Sequence, residues 1–124
     1  MKRGLYLAPF DDLADPRLMA DVARDAEFRG CEGLFLWDRI TYPPDGRPVG
    51  DPWVALSAIA SATETIRLGP MITPLSRRRV QKVARETVTL DHLSNGRLTL
   101  DVGLGNPDDL RPYGPWAPKM RRFG

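Results

Sequence analysis

Three places in this 124-residue sequence set polar or glycine-rich chemistry directly behind an apolar run. "GLFLW" (33–37) is followed by Asp38 and Arg39, "IRLGPMI" (66–72) by Thr73, and "RLTLDV" (97–102) by the stretch Gly103, Leu104, Gly105, Asn106. An aspartate beside an arginine can orient the polar edge of a ligand by hydrogen bonding. The same pair can equally be a loop-start ion pair or cap. The two glycines of "GLGN" let a planar ligand or a phosphate approach the backbone, or simply make a tight turn. A short GxG without the longer dinucleotide fingerprint does not choose between these. Gly69-Pro70 inside the run at 66–72, with Thr73-Pro74 behind it, predicts either a bulge beside a site or an ordinary strand end.

Other reactive types are sparse. Arg77-Arg78-Arg79 stands ahead of a helical segment, where positive charge opposes the helix dipole, so the triplet holds an anion or forms a solvated rim. His92 is the single histidine and falls late in a helix; with no cysteine or carboxylate cluster at ligand spacing it reads as structural, and no metal site is expected. Cys31 reads as small core filling, Trp53 as packing, and Trp37 as packing beside a pocket. There is no P-loop, G-x-S-x-G or HExxH motif.

The elements that must position these residues alternate. Strands are expected over 4–8, 33–37, 66–72 and 97–103, each apolar on both faces as parallel strands are. Leu5, Leu34, Ile66 and Leu98 mark matching places in them, separated by 29, 32 and 32 residues. Asp15-Pro16 and Asp51-Pro52 each put a capping carboxylate before a first-turn proline. Leu18, Val22 and Ala26, with Met19 and Ala23 alongside, predict the inner stripe of the first helix, which Gly30 ends. Val54, Ala58 and Ala62, flanked by Ala55 and Ile59, predict that of the second. The third is expected over 80–93, with Val80, Val83, Ala84, Thr87 and Val88 inward and Ser94–Gly96 closing it. This rhythm is that of a doubly wound sheet or a (β/α)8 barrel, in which strand C-termini share the face that carries chemistry.

Composition adds limits. The 18 basic and 16 acidic residues leave a net charge of only +2, too balanced to argue for nucleic acid or an anionic membrane surface. One cysteine permits no intrachain disulfide, no apolar run reaches the roughly 20 residues of a membrane span, and no signal peptide precedes residue 4; a cytoplasmic location is expected.

Together, "GLFLWDRI", "DPWVALSAIASATETIRLGPMITPLSRRR" and "ARETVTLDHLSNGRLTLDVGLG" resemble the luciferase-like flavin-dependent monooxygenases and their deazaflavin-dependent relatives. The resemblance runs from the first strand to about Gly105. It implies an α/β fold of parallel βα units: half of a (β/α)8 TIM barrel, four strands and three helices, over residues 1–114, with a divergent tail at 115–124. It implies reduced flavin mononucleotide (FMN), or alternatively a deazaflavin of the F-420 type, at the strand C-termini, with oxygen insertion into a small substrate or hydride transfer to it. By position, Asp38 and Arg39 would lie beside the polar edge of the ring. Met71, Ile72 and Thr73 would form a bulge, often with a non-prolyl cis peptide, behind the ring face, and Gly103, Leu104, Gly105 and Asn106 the loop against it.

Two departures bear on chemistry. Arg39 stands where the family commonly has histidine; it cannot shuttle protons, but it can stabilise a reduced, anionic ring. Asp101 stands in the fourth strand where a small residue is usual, and needs a partner if it points inward. A half barrel also leaves an apolar face and two strand edges open. The alternative expectation is therefore a non-catalytic module that pairs through that face, as a homo-oligomer or with a completing half.

Overall fold

The computed structural model describes residues 1–109 except residue 45. Strand β1 (Gly4–Leu7) leads through a 3-10 turn (Asp11–Ala14) to helix α1 (Pro16–Phe28), β2 (Gly33–Leu36), α2 (Pro52–Ala62) and β3 (Arg67–Pro70). A two-residue strand β4 (Thr73–Pro74), a 3-10 turn (Leu75–Arg77), α3 (Val80–Leu93) and a short β5 (Val102–Gly103) follow. The first three strands form a parallel sheet in the order β1-β2-β3, and β4 pairs with β5, also in parallel.

Both predicted caps are present. The Asp15 carboxylate accepts from Arg17 N at 2.8 Å and Asp51 from Val54 N at 2.9 Å, each with proline in the first turn. A chain that re-enters the sheet after a capped helix of this length returns in the same direction, which is why the pairing is parallel.

Strands three and four are more broken than expected. Leu68 N donates to Arg97 O, Thr99 N to Leu68 O and Thr73 N to Asp101 O, so residues 97–103 do run parallel beside 67–74. Regular ladder survives only at Leu68–Leu98 and over β4–β5. Two residues explain the interruption. Pro70 has no N–H for the ladder, and Gly69 is crowded: a Cβ there would lie 1.9 Å from Thr99 O, so the strands touch where only glycine fits. The Met71–Ile72 peptide that follows is cis. The register also corrects one pairing, since Leu34 is opposite Leu68 rather than Ile66; both are fully buried. A shift of two residues keeps the same face, so the core is unaffected.

The core lies between the sheet and its helices. Leu34, Leu36, Ile66 and Leu68 meet Met19, Ala23 and Ala26 of α1 and Ala55, Leu56, Ile59 and Ala60 of α2, with Leu90 of α3 joining. Within the helices the buried stripes differ from those expected. Val54 is 60% exposed, because α2 is apolar nearly all round and its pattern gave no preferred side. In α3 the buried positions are Val83 and Leu90, one heptad apart, whereas Val80, Ala84 and Val88 are exposed. Leu18 likewise faces outward.

The sheet face away from the helices is not the apolar surface expected of a half barrel. Strand alternation puts Tyr6, Phe35, Arg67, Thr99 and Asp101 there, and Arg67 donates to Thr99 Oγ1 and Leu98 O across it. The Gly114 boundary and the tail at 115–124 lie outside the described residues. Among the described residues no helix is long and apolar enough to cross a membrane.

Candidate functional site

Parallel strands deliver their C-terminal ends to one rim, and a cavity of about 510 Å³ opens there. Asp38 and Arg39 reach it from the end of β2, Met71 and Ile72 from the break after β3, and Leu104, Gly105 and Asn106 from the loop after β5. Seven of the nine residues expected to bind a cofactor therefore line one space. Tyr6, Trp37 and Pro74 complete the wall. The other two sit behind it. Thr73 is fully buried, its hydroxyl without a hydrogen-bond partner among the described residues. Gly103 packs so closely that a Cβ would fall 2.0 Å from Ile72 Cδ1.

Charge is arranged beneath this rim in a chain. The Asp38 side chain is only 2% exposed, because Arg78 donates to its Oδ2 at 2.8 Å while Arg77 donates to its Oδ1 at 3.3 Å and its carbonyl at 2.7 Å. Asp109, fully buried, accepts from Arg39 Nε at 2.7 Å and has Arg77 at 3.6 Å. Arg78 continues to Glu86 and Glu86 to Lys82. Arg77 and Arg78 are thus neither an anion clamp nor a solvated rim; their partners are the carboxylates of Asp38 and Asp109. Only Arg79 of the triplet is exposed. A buried carboxylate needs such compensation, since desolvation otherwise opposes its charge.

Aromatic residues extend one wall. Phe10 stacks on Tyr42 at 4.9 Å, and Trp37 meets both rings edge-on. Arg47, tied to Asp11, lies over Phe10 and Tyr42, and Arg39 lies 5.3 Å above Tyr42. Tyr6 joins this cluster, its ring 5.7 Å from that of Trp37, and its hydroxyl donates to Met71 O at 2.8 Å. Burial, and then the negative charge of Asp101, raise the Tyr6 phenol above its usual range, so it keeps the proton it donates. Asp101 itself is exposed on the open sheet face, so it does not point into the core and the need for a buried partner does not arise.

Sequence reasoning passed over Tyr6, Tyr42 and Asp109. Tyr6 was signalled by its place one residue from the end of β1. Asp109 carried no signal except that it follows the glycine loop. Its partner is 70 residues away.

The arrangement offers flat apolar walls and one guanidinium edge. It can bind and orient a planar group and compensate negative charge on it. The glycine loop suits close approach: at Gly105 (φ +82°) a Cβ would stand 2.5 Å from Pro74.

Comparison with known proteins identifies the fold and the family. An uncharacterised protein of Mycobacterium tuberculosis is 40% identical over 140 residues, a span of 98% of this chain and 48% of that one. The coenzyme F420-dependent tetrahydromethanopterin reductase of Methanopyrus kandleri superposes with a TM-score of 0.75 at 28% identity, over 94% of this chain and 31% of that one. The oxygenating component of 3,6-diketocamphane monooxygenase from Pseudomonas putida, solved with FMN, shares the fold with a TM-score of 0.77 at 20% identity, over 98% and 36%. The chain spans about half the length of the mycobacterial relative and about a third of each solved structure. The family model for luciferase-like monooxygenases matches residues 4–123, nearly the whole sequence, and the chain belongs to that family.

Proposed function

We propose that this chain carries the ring-binding half of a flavin- or deazaflavin-dependent oxidoreductase acting on a small organic molecule. The observation that carries the reading is the convergence of Asp38, Arg39, Met71, Ile72, Leu104, Gly105 and Asn106 on one cavity at the strand C-termini. When bound, reduced FMN or a deazaflavin of the F-420 type supplies an electron pair, to oxygen or as hydride to the substrate.

The chain's own residues bind and orient. Trp37, Ile72 and Leu104 offer apolar contact to a flat ring, the glycines of the 103–106 loop allow close approach, and Arg39 compensates charge at one end. The volume, about 510 Å³, suits a tricyclic ring. Loops after strands seven and eight commonly hold phosphate in barrels of this kind, and the reading assigns only the ring to these four units. Both cofactors stay in the proposal, since one neighbour is named for F420 and another was solved with FMN.

Fluorescence titration of the purified chain with FMN and with the deazaflavin, each oxidised and reduced, tests it. Saturable binding that Arg39→Met weakens supports the reading, and absence of binding by either ring at high concentration defeats it. A second reading, a non-catalytic module that pairs with another barrel half, is favoured by the exposed Val80, Val88, Leu100 and Val102. It predicts a stable oligomer without cofactor in light scattering.

A further inference from the structure

Seven charged side chains alternate in sign from the cavity to the surface of α3: Arg39, Asp109, Arg77, Asp38, Arg78, Glu86 and Lys82. Both ends of this chain are cations, so it carries four positive groups against three negative. The outer end, Lys82, is 71% exposed and its excess charge is met by water. The inner end is Arg39, whose side chain is only 18% exposed and lines the cavity.

Arg39 is also held. Its Nε is committed to Asp109 Oδ1, and one face of the guanidinium lies over the Tyr42 ring. What remains is the edge bearing its two terminal nitrogens, for which the structure gives no acceptor among the described residues. A guanidinium fixed at Nε and on one face presents that edge as a two-pronged donor with little rotamer freedom left to lose on binding. Asp38, the other charged residue of the lining, is an acceptor and no donor, and its negative charge is compensated by Arg77 and Arg78.

We infer that Asp109 is a positioning residue: it holds Arg39 so that the cavity selects the anionic form of its ring ligand over the neutral form. The inference rests on the cofactor reading above and deepens it. Asp109 touches no ligand in this account; it acts through Arg39. Oxidised FMN has a neutral ring, and reduced FMN loses a ring proton near neutral pH, so the two redox states differ in the charge that Arg39 meets. Replacing Asp109 by asparagine removes the charge that orients Nε and lets the side chain swing, which weakens the reduced state selectively.

The test is an anaerobic titration of the whole chain with oxidised and reduced FMN at pH 8, for wild type, Asp109→Asn and Asp109→Glu. The reading is the ratio of the two dissociation constants. Wild type should favour the reduced ring, the ratio should fall roughly tenfold in Asp109→Asn, as expected for loss of one charge-assisted contact, and Asp109→Glu should recover part of it. If Asp109→Asn does not fold, Tyr42→Leu carries the test, since it frees the face of the guanidinium while leaving the ion pair; its ratio should fall in the same direction. Equal weakening of both redox states, an unchanged ratio, or a ratio that rises because the net positive charge of the chain has grown, overturns the inference and leaves the cofactor reading standing. No binding of either state to wild type overturns both.

Discussion

Arg97 gives the sharpest quantitative prediction about the fold. It is 8% exposed, and no carboxylate among the described residues touches it. All five of its side-chain N–H donors are used: Nε to Ser94 O, Nη1 to Thr63 Oγ1 and Ile66 O, and Nη2 to Ala60 O and Thr63 O, at 2.6 to 3.0 Å. The positive charge is met by carbonyls at the ends of α2 and α3, where the helix dipoles are negative. One side chain therefore fastens two helix ends to the start of β3.

Arg97→Met fills most of the space but strands four buried carbonyl oxygens. At about 1–3 kcal/mol for each buried group left unsatisfied, discounted for those that water reaches, the loss is about 3–5 kcal/mol. That is a large part of the 5–15 kcal/mol holding a typical domain, and lowers Tm by on the order of 15 °C. Arg97→Lys keeps the charge but at most three donors, and should cost about half as much. Urea unfolding followed by circular dichroism measures both. The reasoning fails if Arg97→Met lies within about 1 kcal/mol of wild type, or if lysine proves worse than methionine.

Other perturbations test separate parts of the account. Asp38→Asn leaves Arg77 and Arg78 buried beside a neutral amide and should destabilise by about 3 kcal/mol in urea unfolding; a neutral result would mean the pair is more solvated than its geometry indicates. Partial burial pushes the Glu27 carboxyl up, but hydrogen bonds from Thr65 N, Ile66 N, Glu64 N and the Thr65 hydroxyl outweigh it and hold it below the usual range. Its stabilisation is therefore complete above about pH 4.3 and lost as pH falls through the lowered value, so Glu27→Gln should be less stable than wild type at pH 7 and converge with it in acid. Gly69→Ala drives a Cβ into Thr99 O and should detach strand four, read as faster amide hydrogen exchange at Thr99 and Thr73 while the amides of β1 and β2 stay protected.

Much of this architecture was legible because it depends on local signals. The aspartate-proline starts of α1 and α2 act within one turn, and an apolar strand ending in charge marks the point where a chain leaves the core. Those signals order the units and bring Asp38, Ile72 and Asn106 to one rim. The helix faces were less legible, since α2 offers apolar residues on every side and α3 carries two apolar stripes, of which packing against α2 selects Val83 and Leu90. Least legible were the partners of the charged residues. Asp38 and Arg78 are 40 residues apart, and Arg39 and Asp109 70, so nothing near either residue announces the other. Long-range pairing of this sort follows from the register of the sheet, which a two-residue shift at Ile66 was enough to misplace.

The central claim is that the strand C-termini form a seat for a planar redox ring. Its most direct measurement is a map of backbone amide chemical shifts as reduced FMN, or the reduced deazaflavin, is added to the isotope-labelled chain. The account predicts saturable shifts concentrated at Tyr6, Asp38, Arg39, Ile72 and Leu104 to Asn106, with Arg97 and the helix ends it fastens unmoved. Shifts gathered instead at the opposite rim, around Arg3, Glu32 and Arg67, would contradict it.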